Sequence, residues 1–300
     1  MSKRRRAAKP EDSNLNKCWE IFFESYNSAV KTAYDMYFES CGKKDQDTVD
    51  SSLLQEMLQK KYNEWLAAPL DDLDGMTPAE FIGSRASFED VAVVFNYGAV
   101  ICDDELPRIY TDKLRSFGKQ AVDFVIRTAC RELPAEKEQG FIPQIMAIRT
   151  LGRWKAAEAA EPLINTLADE HEAYELLCET VRDALIALGP ASVDTITARL
   201  ETGSGLPETA KEYLLMALAE LGRDSRSDKV YSVLKKAFRE MADKSVTAAC
   251  LAQYGDGRAV PALRGYLEKN QQNISRQTFY DIVSAVKRLG GQTGDLRYRD

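Results

Sequence analysis

The chain has 300 residues, of which 44% are hydrophobic and 29% charged, with one histidine and a net charge of −7 at neutral pH. Its longest apolar runs, such as Val91 to Phe95, fall far short of the roughly 20 residues that cross a bilayer, so a transmembrane helix is excluded. The charge is unevenly placed: residues 1–10 carry five Lys/Arg and no acid, residues 223–300 carry 15 Lys/Arg against 9 Asp/Glu, and residues 11–222 carry 20 against 38. An acidic body therefore stands between a basic arm and a mildly basic end.

In chain order, residues 1–13 lack apolar periodicity and read as a disordered basic arm. Pro10, Glu11 and Asp12 follow the Lys3, Arg4, Arg5, Arg6 cluster where a secretory signal would need an apolar run, so a cytoplasmic location is expected. Residues 14–102 read as a helical N-terminal domain. Its first helix carries Trp19, Phe22, Phe23, Tyr26, Val30, Tyr34, Tyr37 and Phe38 at helical spacing, an unusually aromatic inward face. Were Phe22, Phe23, Tyr26 and Tyr34 exposed in a monomer, self-association would follow, because large apolar patches seldom stay bare. A second helix is expected over residues 53–67, with Leu54, Met57, Leu58, Tyr62, Trp65 and Leu66 apolar. Thr77, Pro78 and Glu80 then write a helix start, with Thr77 as cap, Pro78 in the first turn and Glu80 completing a capping box. The string LDGMTPAEF resembles a short element of small bacterial helical domains, which implies packing. Residues 87–96 read as a helix capped by Ser87, with a strand as the alternative for the Val-rich middle.

From residue 103 to 300 a repeat takes over. Gly118, Gly152, Gly189, Gly222, Gly255 and Gly290 are separated by 34, 37, 33, 33 and 35 residues. Apolar residues recur one and four positions before each glycine, as in Leu188 and Leu185 or Leu221 and Leu218. Five positions before it stand Ala147, Ala184, Ala217, Cys250 and Ala285, small where a neighbouring helix must approach closely. Each unit reads as a first helix ended by a glycine in a left-handed conformation and a second helix after it. Five to six such pairs make an all-α solenoid. The last first-type helix, Ile274 to Leu289, lacks room for a following partner and must cap the stack alone or borrow cover.

The strings LGRWKAAEAAEPLINTL (151–167) and GDGRAVPALRGYLEK (255–269) resemble HEAT repeats of the bilin-lyase-like subclass, with its LGD-x-RA-x-x-PL-x-x-L pattern. The resemblance covers residues 104–290, close around Gly152 and Gly255 and loose elsewhere. It implies a right-handed superhelix of antiparallel helix pairs and a bacterial style of repeat, but no bilin chemistry. At the motif's turn position, Arg258 is expected to cap helix ends or pair with carboxylates of an adjacent repeat.

Chemistry is sparse. The cysteines at 18, 41, 102, 130, 178 and 250 form no C-x-x-C pair and read as buried thiols. HEAT proteins that bind two irons need several His-Glu dipeptides, and this chain has only His171–Glu172. A HEAT-like glycosylase would need a basic face, against the acidic balance of residues 11–222. No nucleophile, P-loop or dinucleotide motif occurs. Neither a cofactor nor a metal is therefore expected. The leading expectation is a non-enzymatic scaffold whose second helices line a concave face for a protein partner with basic segments. Its candidate contacts are Arg127, Arg131, Asn165, Asp194, Arg199, Lys235, Arg239, Arg264 and Glu268, with Arg153 and Trp154 in an inter-helix turn. Trp154 has two readings there, a shield for the neighbouring unit or an exposed anchor. The alternative is nucleic-acid binding through Lys3, Arg4, Arg5, Arg6 and Lys9 together with the C-terminal repeats. A lyase or glycosylase relative is the remaining reading.

Overall fold

The computed structural model of the chain describes residues 13–41, 51–131, 141–168, 174–202, 205–270 and 272–298, the side chains of 13–16, 41 and 174 excepted. Every regular element among them is a helix, so the chain is all-α. Its residues divide into two compact units, Met1–Met146 and Ala147–Asp300. The repeats expected from residue 103 onward thus begin within the first unit.

The first unit contains α1 (Ser13–Cys41), α2 (Ser51–Ala67), α3 (Pro78–Gly83), α4 (Phe88–Ala92), α5 (Phe95–Ile101), α6 (Arg108–Arg115) and α7 (Lys119–Ala129), while α8 (Ile142–Trp154) crosses the division. Residues three and four apart share a helix face, which places Trp19, Phe22 and Phe23 together, each fully buried. The Trp19 ring lies 5.0 Å from Phe81 of α3 and 5.7 Å from Tyr110 of α6, centroid to centroid. Tyr110 also donates its hydroxyl proton to the Val91 carbonyl at 2.8 Å. These contacts bind Tyr110, beyond residue 103, into the core of the first unit. Because Phe22 and Phe23 are buried and Tyr26 and Tyr34 half-buried within one chain, the stated condition for self-association is not met. Phe38 corrects the expected inward face, being 67% exposed. It follows the buried Tyr37 by one residue, about 100° around the helix from that stripe.

Thr77 caps α3 as expected, accepting from the Glu80 amide at 3.1 Å while the Glu80 carboxylate accepts from the Thr77 amide at 2.9 Å. Those bonds hold the Glu80 carboxyl below its usual range, the Thr77 amide foremost. Residues 88–96 are helical, broken into α4 and α5, with Ser87 accepting from the Asp90 amide. The strand alternative is thereby removed.

The second unit continues with α9 (Ala160–Asn165), α10 (Tyr174–Leu188), α11 (Val193–Thr202), α12 (Glu208–Gly222), α13 (Asp228–Glu240), α14 (Lys244–Tyr254), α15 (Val260–Asn270) and α16 (Arg276–Arg288). Two layers emerge. Helices α10, α12, α14 and α16 pack successively on one another, and α9, α11 and α13 do the same on the other side. Contacts within the first layer keep a nearly constant sequence offset: Arg182 lies over Tyr213, and Gln253 bonds Glu220 and Arg288. A constant offset means that these helices run in the same direction.

The repeat glycines serve two different ends. Gly255 adopts the left-handed conformation (φ 79°) that ends α14, its amide reaching the Leu251 carbonyl at 3.1 Å; this is the use expected of all six. Gly152 and Gly222 correct that expectation, since Gly152 lies inside α8 and Gly222 is the last residue of α12, and neither is left-handed. There a side chain is what cannot be accommodated: a Cβ at Gly152 would sit 3.0 Å from Ala184 Cα, and one at Gly222 2.8 Å from the Tyr254 ring. The left-handed residue ending α8 is Lys155 (φ 52°), three positions later, matching the three extra residues in that copy. At the far end, α16 does borrow cover. Tyr298 sets its ring 5.5 Å from the buried Phe279, and Arg264 of α15 binds the Asp295 carboxylate and the Gln292 carbonyl.

Candidate functional site: a groove across the parallel helices

The outward faces of α10, α12, α14 and α16 form a groove of about 700 Å³ within the second unit. Its floor is Ile186, Met216, Val246, Ala249, Ala252 and Ala285. The concavity has a local cause. Where a surface helix would ordinarily carry long polar side chains, α14 and α16 present Ser245, Ala249, Ala252, Ser284 and Ala285, so the helical backbones themselves lie close to the surface.

Along one edge the side chains two positions before successive glycines join: Glu220 accepts from the Gln253 amide, and the Gln253 carbonyl accepts from Arg288 at 3.0 Å. One residue from each of three repeats thus makes a continuous polar line. At the α10 end, Arg182 binds Glu179 and Asp183 and stacks over Tyr213. Cys250 lies under the floor, 3% exposed. Burial, and then the Glu212 carboxylate, push its thiol up to about 12, which leaves it protonated and without nucleophilic character at neutral pH.

One carboxylate near the groove is unlike those of a solvated face. Glu212 of α12 has its carboxyl raised by burial and then by Asp243 and Glu208. Tyr213 is raised by burial and then by Glu179 and Glu175. Acids at the N-terminal halves of α10 and α12 and at the start of α14 thus lie close to these two groups. No group of three or more residues able to hold a metal ion occurs among the described residues.

None of the residues expected from sequence lines this groove, because they belong to second helices or turns. Trp154 is 1% exposed, so it is a core residue of the second unit and the anchor reading is corrected; a Trp at the end of α8 closes a helix contact. Arg153 is half-buried and already has a partner. Arg264 is committed to Asp295 and the tail, which leaves it no free fork for a partner. Arg199 is half-buried with its Nε enclosed and unpaired, and Lys235 is half-buried with its ammonium 5.8 Å over its own neighbour Tyr231. Asn165, Asp194, Arg239 and Glu268 are exposed but scattered over four helices. Arg127 and Arg131 are exposed residues of the first unit. Lys3, Arg4, Arg5, Arg6 and Lys9, with His171 and Glu172, lie outside the described residues.

The role expected of Arg258 is realised. It binds Asp256 through Nε and Nη2 and Asp228, one repeat earlier, through Nη1 at 2.8 Å, with its guanidinium 4.4 Å over the Tyr231 ring. This guanidinium holds the Asp256 carboxyl below its usual range. A carboxylate with a lowered folded-state value contributes stability above its unfolded pKa of about 4 and loses it as pH falls through the folded value. We expect Asp256→Asn to flatten the stability loss below about pH 4. Acid unfolding curves that coincide for the variant and the wild type would refute this linkage.

A second cleft, of about 830 Å³ between α1, α2 and residues 104–108, carries Tyr26, Glu56, Tyr62 and Arg108. Asp104 and Glu105 there already have partners, and the Tyr62 hydroxyl accepts from the Ile109 amide, so these three residues are engaged in the fold. No protein-family model, curated protein or solved structure matches the chain.

Proposed function

We propose that the chain is a non-enzymatic, cytoplasmic docking protein whose second unit is a HEAT-type α-solenoid with a right-handed superhelix, and whose groove across the parallel helices holds a segment of a protein partner. The observation that carries this reading is the groove itself: a small-residue apolar floor beside a hydrogen-bonded line running through three repeats. Such a surface offers long, shallow contact without a reacting group, which suits recognition of an extended chain. The two-layer packing with a constant offset of the parallel helices supports the solenoid, and the quoted HEAT-like strings supply its class. The docking face is accordingly assigned to α10, α12, α14 and α16, and not to the second helices.

Affinity purification from native lysate tests this, comparing the wild type with Ala249→Trp, which fills the exposed centre of the floor. A defined protein retained by the wild type at physiological salt and lost with the variant is the expected result. The same proteins recovered with both, or nucleic acid alone at low salt, would overturn it.

A further inference from the structure

Resting on that docking reading, we propose that the groove selects a basic-aliphatic peptide segment, one carrying several Lys or Arg together with small or medium aliphatic side chains. Two independent features converge on this chemistry. The floor is apolar, made of Ile186, Met216, Val246 and three alanines, so it accepts aliphatic groups. N-terminal to the lining residues, three successive helices carry acids: Glu175 and Glu179 on α10, Glu208 and Glu212 on α12, and Asp243 at the start of α14.

These acids stand about one turn N-terminal to lining residues on the same faces. Glu179 precedes Asp183 by four, Glu212 precedes Met216 by four, and Asp243 precedes Val246 by three. Acids at helix starts ordinarily serve the helix dipole, and Asp243 does so by accepting from the Val246 amide. Glu208 accepts from the Ala242 amide, across to the next repeat. Glu208 and Asp243 nonetheless stand close enough to Glu212 to raise its carboxyl, after burial, and the local cations are few. Of those cations, Arg182 is divided between Glu179 and Asp183, and Lys244 donates to three carbonyls at the end of α13. Lys211 of α12 adds one further positive charge.

The opposite edge sets the competing chemistry. Arg223 is paired with Glu220 and Asp224, while Arg288 reaches only the neutral Gln253 and lacks a carboxylate partner among the described residues. A single uncompensated cation there is outweighed by the acids across three helices. With helices roughly 8–10 Å apart, four of them span about 30 Å, the length of roughly nine extended residues.

Two nine-residue labelled peptides decide the matter, one alternating Lys and Leu and the other carrying Glu in place of Lys. Each is titrated by fluorescence anisotropy into the full chain, with circular dichroism confirming that every variant is folded. The basic peptide is expected to bind more tightly, to weaken with salt, and to lose at least about tenfold in affinity with Glu179→Gln/Glu212→Gln and with Ala249→Trp. Should Ala249→Trp fail to fold, Ser284→Arg on α16 provides the block. Preference for the acidic peptide, lost on Arg288→Gln and on blocking the floor, would overturn the basic-aliphatic assignment while keeping the docking groove. Binding of neither peptide, or binding indifferent to every groove variant, would overturn both.

Discussion

Trp19→Ala is expected to destabilise the first unit by about 3–5 kcal/mol, the range for emptying a fully buried large aromatic site. The Trp19 ring is fully buried and touches Phe22, Phe23, Phe81 and Tyr110, which come from α1, α3 and α6. Its removal opens a void at the meeting point of three helices, and the ring geometry around it cannot close without moving their axes. Chemical denaturation followed by near-ultraviolet circular dichroism is the measurement. Trp19→Phe should cost less, roughly 1–3 kcal/mol, because the indole Nε1 has no hydrogen-bond partner to lose. If the two variants were equally damaging, the ring volume would not be what matters and the packing argument would fail.

In the second unit, the corresponding centre is Tyr254. Its ring is fully buried and lies where a Cβ on Gly222 would otherwise stand, while its hydroxyl accepts from the Ser227 amide at 2.7 Å and donates to the Ser227 carbonyl at 2.9 Å. Tyr254 therefore ties the end of α14 to the cap of α13 in the preceding repeat. Tyr254→Ala should cost about 3–5 kcal/mol. Tyr254→Phe keeps the ring and gives up only the bonds to Ser227, an exposed residue that water can serve, so about 1 kcal/mol is expected. Thermal and urea unfolding separate the two cases. A Phe variant as unstable as the Ala variant would show that the hydroxyl, and not the ring, holds the repeats in register.

Much of this architecture was legible in the residues because it depends on local rules. The glycine period, the small residues five positions before each glycine and the apolar residues at one and four positions before it specify the helix that stacks on its like. Ala184 against Gly152 shows the small-residue rule acting as read. Thr77, Pro78 and Glu80 specified their helix start for the same reason, since every partner lies within four residues. What the residues do not carry is non-local. That Tyr110 belongs with Trp19 depends on the path of the chain between α1 and α6, which periodicity does not carry.

The groove was missed for a different reason. Charged residues on the second helices, and Trp154 at a helix end, stand out as binding chemistry, yet Trp154 closes a core contact and Arg264 holds the tail. The groove is made by what is small, and short side chains advertise nothing in a single sequence. One signal was nonetheless present: aligning the repeats on their glycines puts Glu220, Gln253 and Arg288 in one column, an acid, an amide and a base that can join only if their helices lie parallel. Reading that column would have turned attention to the first helices.

The placement of the docking face is the central claim, and site-specific photocrosslinking tests it most directly. A photoreactive residue is introduced at Ala249, in the exposed floor of the groove, and in parallel at Lys236, exposed on α13 in the other layer. Both proteins are irradiated with the partner recovered by affinity purification. The account predicts a crosslink from position 249 and none from 236. A crosslink from 236 with position 249 silent would contradict it and return the docking surface to the second helices.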